Sequence, residues 1–188
     1  TINLYDILFI SQYRDPAGGY FDFWTQLVVL INEYVVNNKM KLGIAYNSKR
    51  TDKDRKAKIE VEVEYFKRNI NLIDDIELNS YEKAAKSEVV VCISSNLGIE
   101  LLSHGYKVVF INVTEAIHTE KRLPHFSEPR GYFWTTAMEY DEISRVINNV
   151  YEMSRSEWSE YLNTHHKDLL TGDKNNKARH PDPGEFPG

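Results

Sequence analysis

Four short runs of apolar, mostly β-branched residues constrain the fold of this chain more than any other feature. None of the runs alternates with polar residues, so each is typical of a strand that is buried on both faces. Such strands occur in mainly parallel sheets that helices cover on both sides. The runs are Ile7–Ile10, Leu42–Tyr46, Val89–Ile93 and Val108–Ile111.

Segments with the spacing of amphipathic helices separate and follow these runs. Apolar residues recur every three or four positions over residues 22–37, 59–70 and 140–153, which predicts a helix in each segment. The alternation of strands and helices predicts an α/β fold. We expect a Rossmann-like three-layer domain with about five or six mainly parallel strands, joined by right-handed crossovers.

Three shorter helices are predicted from capping signals. One covers Ser80–Lys86 with its first serine as the N-cap, and one begins near Asn96 and stops at Gly105, because glycine readily adopts the left-handed conformation that ends a helix. The last begins at Ser156 as its N-cap and carries Trp158.

Composition excludes several classes of protein. The 188 residues include 23 Lys+Arg and 28 Asp+Glu, and the net charge of −5 lacks the basic excess of a nucleic-acid binder. The single cysteine, Cys92, excludes a disulfide framework within the chain and a cysteine-rich zinc site. No apolar run could span a bilayer, and we expect no signal peptide. We expect a cytoplasmic protein with one domain over residues 1–170 and, over 171–188, a polar tail that is poorly ordered or docks on a partner domain.

The segment after the third run is the clearest candidate for binding. Ligands of open α/β sheets bind beyond the carboxyl ends of the strands, and Ser94–Glu100 leads from a buried strand directly into a helix. Backbone N–H groups and small hydroxyls at a helix start can hold a phosphate, and Gly98 is expected to let the ligand approach the backbone. The alternative is that Ser95 or Asn96 only caps the helix.

Two arginines leave the same predicted edge of the sheet. Arg14 follows the first run and Arg50 the second, and a guanidinium there could pair with a phosphate or a carboxylate. The alternative for each is a solvated loop residue. The acidic pair around Lys53 falls where a helix should begin, so no metal site is expected. Glycine-rich dinucleotide and P-loop motifs are absent from the sequence.

Several segments resemble, in the same order, the bacterial surface-carbohydrate glycosyltransferases of O-antigen and capsule biosynthesis, particularly their Kdo transferases. The resemblance covers residues 6–162. The matching segments are Ile7–Arg14, Lys41–Ser48, Ser80–Ala84, Ser87–Asn112, Gly131–Thr135 and Ser156–Trp158.

The resemblance implies a GT-B enzyme, in which two Rossmann-like domains face each other across a cleft, and it makes this chain the C-terminal, donor-binding domain. The implied donor substrate is CMP-Kdo, with no cofactor and no metal. The implied partners are a glycan acceptor and an N-terminal GT-B domain or other biosynthesis proteins, at the inner face of the membrane. The implied reaction transfers an acidic sugar onto a surface polysaccharide.

The same resemblance assigns the donor-binding residues. The serine-containing loop would hold the phosphate, Glu100 would lie near the ribose, and the loops after the first two strands would line the sugar and its carboxylate. Asn96 and Ile99 depart from the family pattern, which leaves the sugar nucleotide open, and no catalytic residue is identified. The expected donor-binding residues are Gln12, Arg14, Ser48, Arg50, Ser94, Ser95, Asn96, Leu97, Gly98 and Glu100.

Two other functions fit the sequence. One is a non-catalytic domain that binds a nucleotide sugar or a partner protein. The other is a sugar-nucleotide epimerase of the GT-B type, which would need acids or histidines facing the cleft. The predicted strand-end loops offer few such residues.

Overall fold

The computed structural model describes residues 3–13, 21–46, 55–70, 73, 78–111 and 128–167. Within these ranges the chain forms a five-stranded sheet of order β2-β1-β3-β4-β5 in which every neighbouring pair is parallel. The α/β prediction is therefore confirmed. The strands are β1 (Tyr5–Ile10), β2 (Leu42–Ala45), β3 (Ser87–Cys92), β4 (Val108–Ile111) and β5 (Trp134–Thr135).

Six helices accompany the sheet in the described part of the chain. The three long helices lie where the apolar spacing predicts them, and the three shorter helices lie where the capping signals predict them, within a few residues. The helices are α1 (Phe21–Asn37), α2 (Arg55–Asn69), α3 (Ser80–Ala85), α4 (Asn96–Ser103), α5 (Tyr140–Tyr151) and α6 (Arg155–His165).

The helices cover both faces of the sheet. The connection from β1 to β2 runs in the opposite direction across the sheet from the connections β2 to β3 and β3 to β4, so right-handed crossovers place α1 on one face and α3 and α4 on the other. Helix α5 shares the face of α1, because the two helices pack together and Tyr34 Oη donates to Asn148 Oδ1 at 2.6 Å. The sheet is the centre of the core, and strands β1 to β4 are almost fully buried.

Two predicted helix caps are wrong by one or two residues. The N-cap of α3 is Asn79 and not Ser80, and the N-cap of α6 is Ser154 and not Ser156. In both cases the true cap pairs with a glutamate three residues later in a capping box, which satisfies two backbone N–H groups instead of one. The predicted stop at Gly105 is confirmed by its φ of +83°.

Strand β5 is absent from the sequence prediction. It has only two residues, too few to form an apolar run, and its Thr135 also forms an antiparallel bridge with Arg130. No helix in the described ranges is long and apolar enough to cross a membrane. The polar tail predicted over residues 171–188 lies outside the described residues.

Candidate functional site

The strand order predicts a ligand-binding crevice at the carboxyl ends of β1 and β3. The chain leaves β1 towards β2 on one side and leaves β3 towards β4 on the other, so the two loops diverge. Ligands of doubly wound sheets with this order bind at that point. Ser11–Tyr13 follow β1 there, and Ile93–Ser95 follow β3. The structure therefore brings Gln12 and the predicted serine loop to the same edge of the sheet.

The serine loop ends in a helix cap. Ser95 is the N-cap of α4, and its side-chain oxygen accepts a hydrogen bond from Leu97 N at 3.2 Å. The capping interpretation is thus confirmed. A cap does not consume the whole helix end, because the first turn has four N–H groups without a partner inside the helix. Ser94 and Ser95 are half-buried and Asn96 is exposed at this end, while Leu97 packs against the core.

Gly98 has a different role from the one expected. It is buried, and a Cβ built on it would overlap Cys92 Sγ and lie 3.3 Å from Phe110 Cε1. The expectation that Gly98 makes room for a ligand is therefore wrong, because its hydrogen faces the sheet. The glycine lets α4 pack closely on β3 and β4. Burial raises the pKa of the Cys92 thiol to about 12, so Cys92 is a protonated core residue.

Glu100 lies one turn into α4 and is held by the neighbouring helix. Tyr81 Oη, near the start of α3, donates to Glu100 Oε2 at 2.9 Å. Burial and the adjacent Glu100 carboxylate together raise the pKa of Tyr81 to about 12, so the phenol remains a donor at neutral pH. The Glu100 carboxylate, which was predicted to lie near a ribose, is thus held by a hydrogen bond that joins α3 to α4.

The end of β1 contains an acid that the sequence analysis missed. Ser11 and Glu62 are 2% and 3% exposed, and Ser11 Oγ donates to Glu62 Oε1. Glu62 is the only buried acidic side chain among the residues whose burial the structure describes. In the sequence it lies on α2, outside the predicted strand-end loops. One signal was available, because Glu62 falls three residues after Ile59 and four before Phe66, on the apolar face of α2.

Gln12 presents an unfilled acceptor beside this pair. Its Oε1 atom is buried and accepts no hydrogen bond from the described part of the chain.

The ring of Tyr13 packs at 5.1 Å from that of Tyr65 on α2, and burial, the largest cause, raises the pKa of the Tyr65 phenol. Arg14, Ser48 and Arg50 lie outside the described residues.

A second concavity of about 560 Å³ lies at the opposite, amino edge of the sheet. It contains none of the predicted binding residues. Its buried lysine, Lys107, already donates to Glu88 Oε1 at 2.5 Å and to the carbonyls of Tyr151 and Met153. We therefore take the crevice between β1 and β3 as the candidate site. Among the described residues no three His, Cys, Asp or Glu side chains converge to hold a metal ion.

Comparisons with known proteins found a matching family model and a similar solved structure. A family model described as "putative O-antigen biosynthesis protein" matches residues 2–179. A crystal structure titled "putative UDP-N-acetylglucosamine 2-epimerase from Listeria monocytogenes" is similar at 15% identity with a TM-score of 0.37. That similarity covers 94% of this chain and 39% of the other. No curated protein matches the chain.

Proposed function

From the premise that the chain belongs to this family of O-antigen biosynthesis proteins, we propose that it binds a nucleotide sugar between the ends of β1 and β3. The observation that carries the proposal is the convergence of Gln12 and the Ser94–Asn96 helix start on one crevice. The helix start offers N–H groups to a phosphate, and the end of β1 offers acceptors to the uncharged part of the ligand.

We propose glycosyl transfer onto a bacterial surface glycan as the reaction. Such a reaction needs a stabilised leaving phosphate rather than a nucleophile from the protein, and helix N–H groups can supply that stabilisation. The narrower proposal, which rests on the sequence resemblance, is an acidic sugar from CMP-Kdo, with Arg14 and Arg50 binding its carboxylate. The glycan acceptor would bind a second Rossmann-like domain of the same enzyme or of a partner protein.

Glu62 specifically favours a second function, sugar-nucleotide epimerisation. An epimerase must move a proton or stabilise charge on the sugar, so it needs an acid or histidine at the ligand. Glu62 is an acid at the carboxyl edge of β1, where the sequence offered few. Incubation with UDP-N-acetylglucosamine and no acceptor distinguishes the two functions. A new isomer in the proton NMR spectrum would identify an epimerase.

Calorimetry with CMP, UMP, UDP, CMP-N-acetylneuraminate and UDP-glucose tests the binding proposal directly. We expect one nucleotide to bind, and its sugar nucleotide to bind more tightly than the nucleotide alone. Inorganic phosphate is the control for simple anion binding at the helix start. If no nucleotide binds more tightly than phosphate does, the proposed function is wrong.

A further inference from the structure

Helix α2 buries a charged residue and exposes the apolar residue next to it. Val61 is 58% exposed, whereas the adjacent Glu62 is 3% exposed. Burying a carboxylate is costly unless hydrogen bonds and charges compensate it. A helix that only covered the sheet would gain stability by burying the valine instead. Such a local conflict is expected at functional sites rather than in the supporting structure.

The buried carboxylate organises the backbone at the end of β1. Ser11 Oγ donates to Glu62 Oε1 and accepts from Tyr13 N at 3.1 Å. The Ser11 hydroxyl is therefore held by α2 and in turn holds the backbone two residues later. Gln12 lies between these two anchored positions, so the Glu62 bond restrains the backbone that carries the Gln12 side chain.

The resulting orientation leaves an acceptor without a donor. Gln12 Oε1 is buried and receives no hydrogen bond from the described residues, although native proteins pair nearly all such atoms. A ligand that supplies a donor would remove the free-energy cost of leaving Gln12 Oε1 buried and unpaired. An ionised phosphate group has acceptors only, so it cannot be the group that pairs with Gln12 Oε1. The donor must come from the uncharged part of a ligand, which is a sugar hydroxyl or amide, or an amino or imino group of a base.

We propose that Ser11, Gln12 and Glu62 form a donor-recognition subsite at the carboxyl end of β1. Gln12 is the specificity-determining residue that accepts the ligand donor, and Glu62 is a positioning residue that acts through Ser11. The inference rests on the proposed nucleotide-sugar site, and it adds the orientation of the ligand. The phosphate lies towards the start of α4, and the uncharged, donor-bearing part lies towards β1.

Gln12→Leu tests the specificity role, with Gln26→Leu on the exposed face of α1 as the matched control. Removing an unpaired buried acceptor should leave Tm unchanged or raise it, while nucleotide-sugar affinity falls about three- to tenfold. The ligands are CMP against CMP-N-acetylneuraminate and UDP against UDP-glucose. If Gln12→Leu loses only the extra affinity that the sugar adds to the nucleotide, the donor belongs to the sugar. Loss of the preference between CMP and UMP assigns the donor to the base.

Unchanged affinity of Gln12→Leu for every nucleotide and nucleotide sugar that binds the wild type would overturn the subsite. The failure of the proposed function is a different result, because then the wild-type chain itself binds none of these ligands. That result would remove the subsite as well.

Glu62→Leu tests the positioning role, because leucine keeps most of the packing of α2 but cannot accept from Ser11 Oγ. Glu60→Leu, at an exposed acid two residues away, is the control. We expect Glu62→Leu to speed hydrogen exchange at Tyr13 N and to weaken sugar-nucleotide binding about tenfold. Ser11→Ala should give the same loss, and the double variant should lose no more than either single variant. Losses in affinity that add independently, or a change in Tm with unchanged affinity, would show that Glu62 is only structural.

Discussion

Gly98 of α4 lies directly against Cys92 of β3, so closely that a Cβ on the glycine would overlap the sulfur. This contact sets the distance between α4 and the sheet. It therefore also sets the position of the first turn of α4 relative to the candidate site. A glycine in the first turn of such a helix can let a ligand approach the backbone, or it can let the helix pack closely on the sheet. Gly98 has the second role.

Gly98→Ala should destabilise the protein, and Cys92→Ala should relieve the effect. Overpacking costs about 1–3 kcal/mol, of which the better helix propensity of alanine returns up to about 1 kcal/mol. In the double variant the new methyl group occupies the space of the missing sulfur. Urea unfolding of the single and double variants measures the coupling. Equal destabilisation by Gly98→Ala in both backgrounds would contradict the contact.

Ser95→Ala separates capping from phosphate binding, because a second capped helix provides the control. Ser154 caps α6, whose start lies at the amino edge of the sheet near Lys107. Either substitution should cost about 0.5–2 kcal/mol of unfolding free energy. Only Ser95→Ala should also weaken nucleotide binding, by roughly 1–3 kcal/mol if the serine bonds to a charged phosphate. Equal nucleotide affinity of the two variants would leave Ser95 as a cap alone.

Much of the fold could be predicted from the sequence, since buried parallel strands and amphipathic helices have strong local patterns. The runs at Leu42–Tyr46 and Val89–Ile93 mark their strands within one or two residues. The caps of α3 and α6 were predicted one and two residues too late in the sequence, because several polar residues near the start of each helix could act as a cap. Only the capping-box geometry chooses Asn79 and Ser154 among them.

The site was less predictable, because its geometry depends on residues far apart in the sequence. Gln12 and Ser95 could be placed at one edge, since both follow buried strands. The pairing of Ser11 with Glu62 joins residues 51 positions apart. The apolar face of α2 indicates that Glu62 is buried, but nothing local indicates its partner. The role of Gly98 depended on which side of α4 faces the sheet. Spacing alone could not show that Cys92 lies opposite.

Tyr34 should make the protein less stable in alkali. Burial, followed by Tyr140, Tyr151 and Glu152, raises the pKa of Tyr34 from 10.0 to about 12. The folded state therefore keeps its proton above pH 10, where the unfolded chain releases it. The stabilisation is complete below pH 10 and is lost as the pH rises towards 12, by at most about 1.4 kcal/mol per pH unit.

Tyr34→Phe isolates this contribution, because the lysines and the tyrosines that do not interact with Tyr34 titrate equally in both proteins. The variant should lose about 1 kcal/mol at pH 8, since Asn148 Oδ1 no longer receives the phenol proton. Urea unfolding at pH 8, 10 and 11 should show the difference between wild type and variant shrinking as the pH rises. A constant difference would argue against the raised pKa.

Lys107 should be needed for stability because it is buried and bonds to three partners. Its ammonium pairs with Glu88 and donates to the carbonyls of Tyr151 and Met153, which hold the turn between α5 and α6. Lys107→Met keeps most of the packing but leaves Glu88 without its cation. Breaking a buried pair costs about 3–5 kcal/mol, and the partial exposure of Glu88 places this case near the lower end.

Adding Glu88→Gln to Lys107→Met should recover part of that loss, because the amide needs no counter-charge and can still accept from Asn3 Nδ2, which lies 2.6 Å from the carboxylate. Both variants leave the two turn carbonyls without the lysine, so recovery measures the charge alone. Urea unfolding at low and high salt is the measurement. A double variant as unstable as Lys107→Met would mean that the lysine stabilises the fold through the two carbonyls and not through its charge.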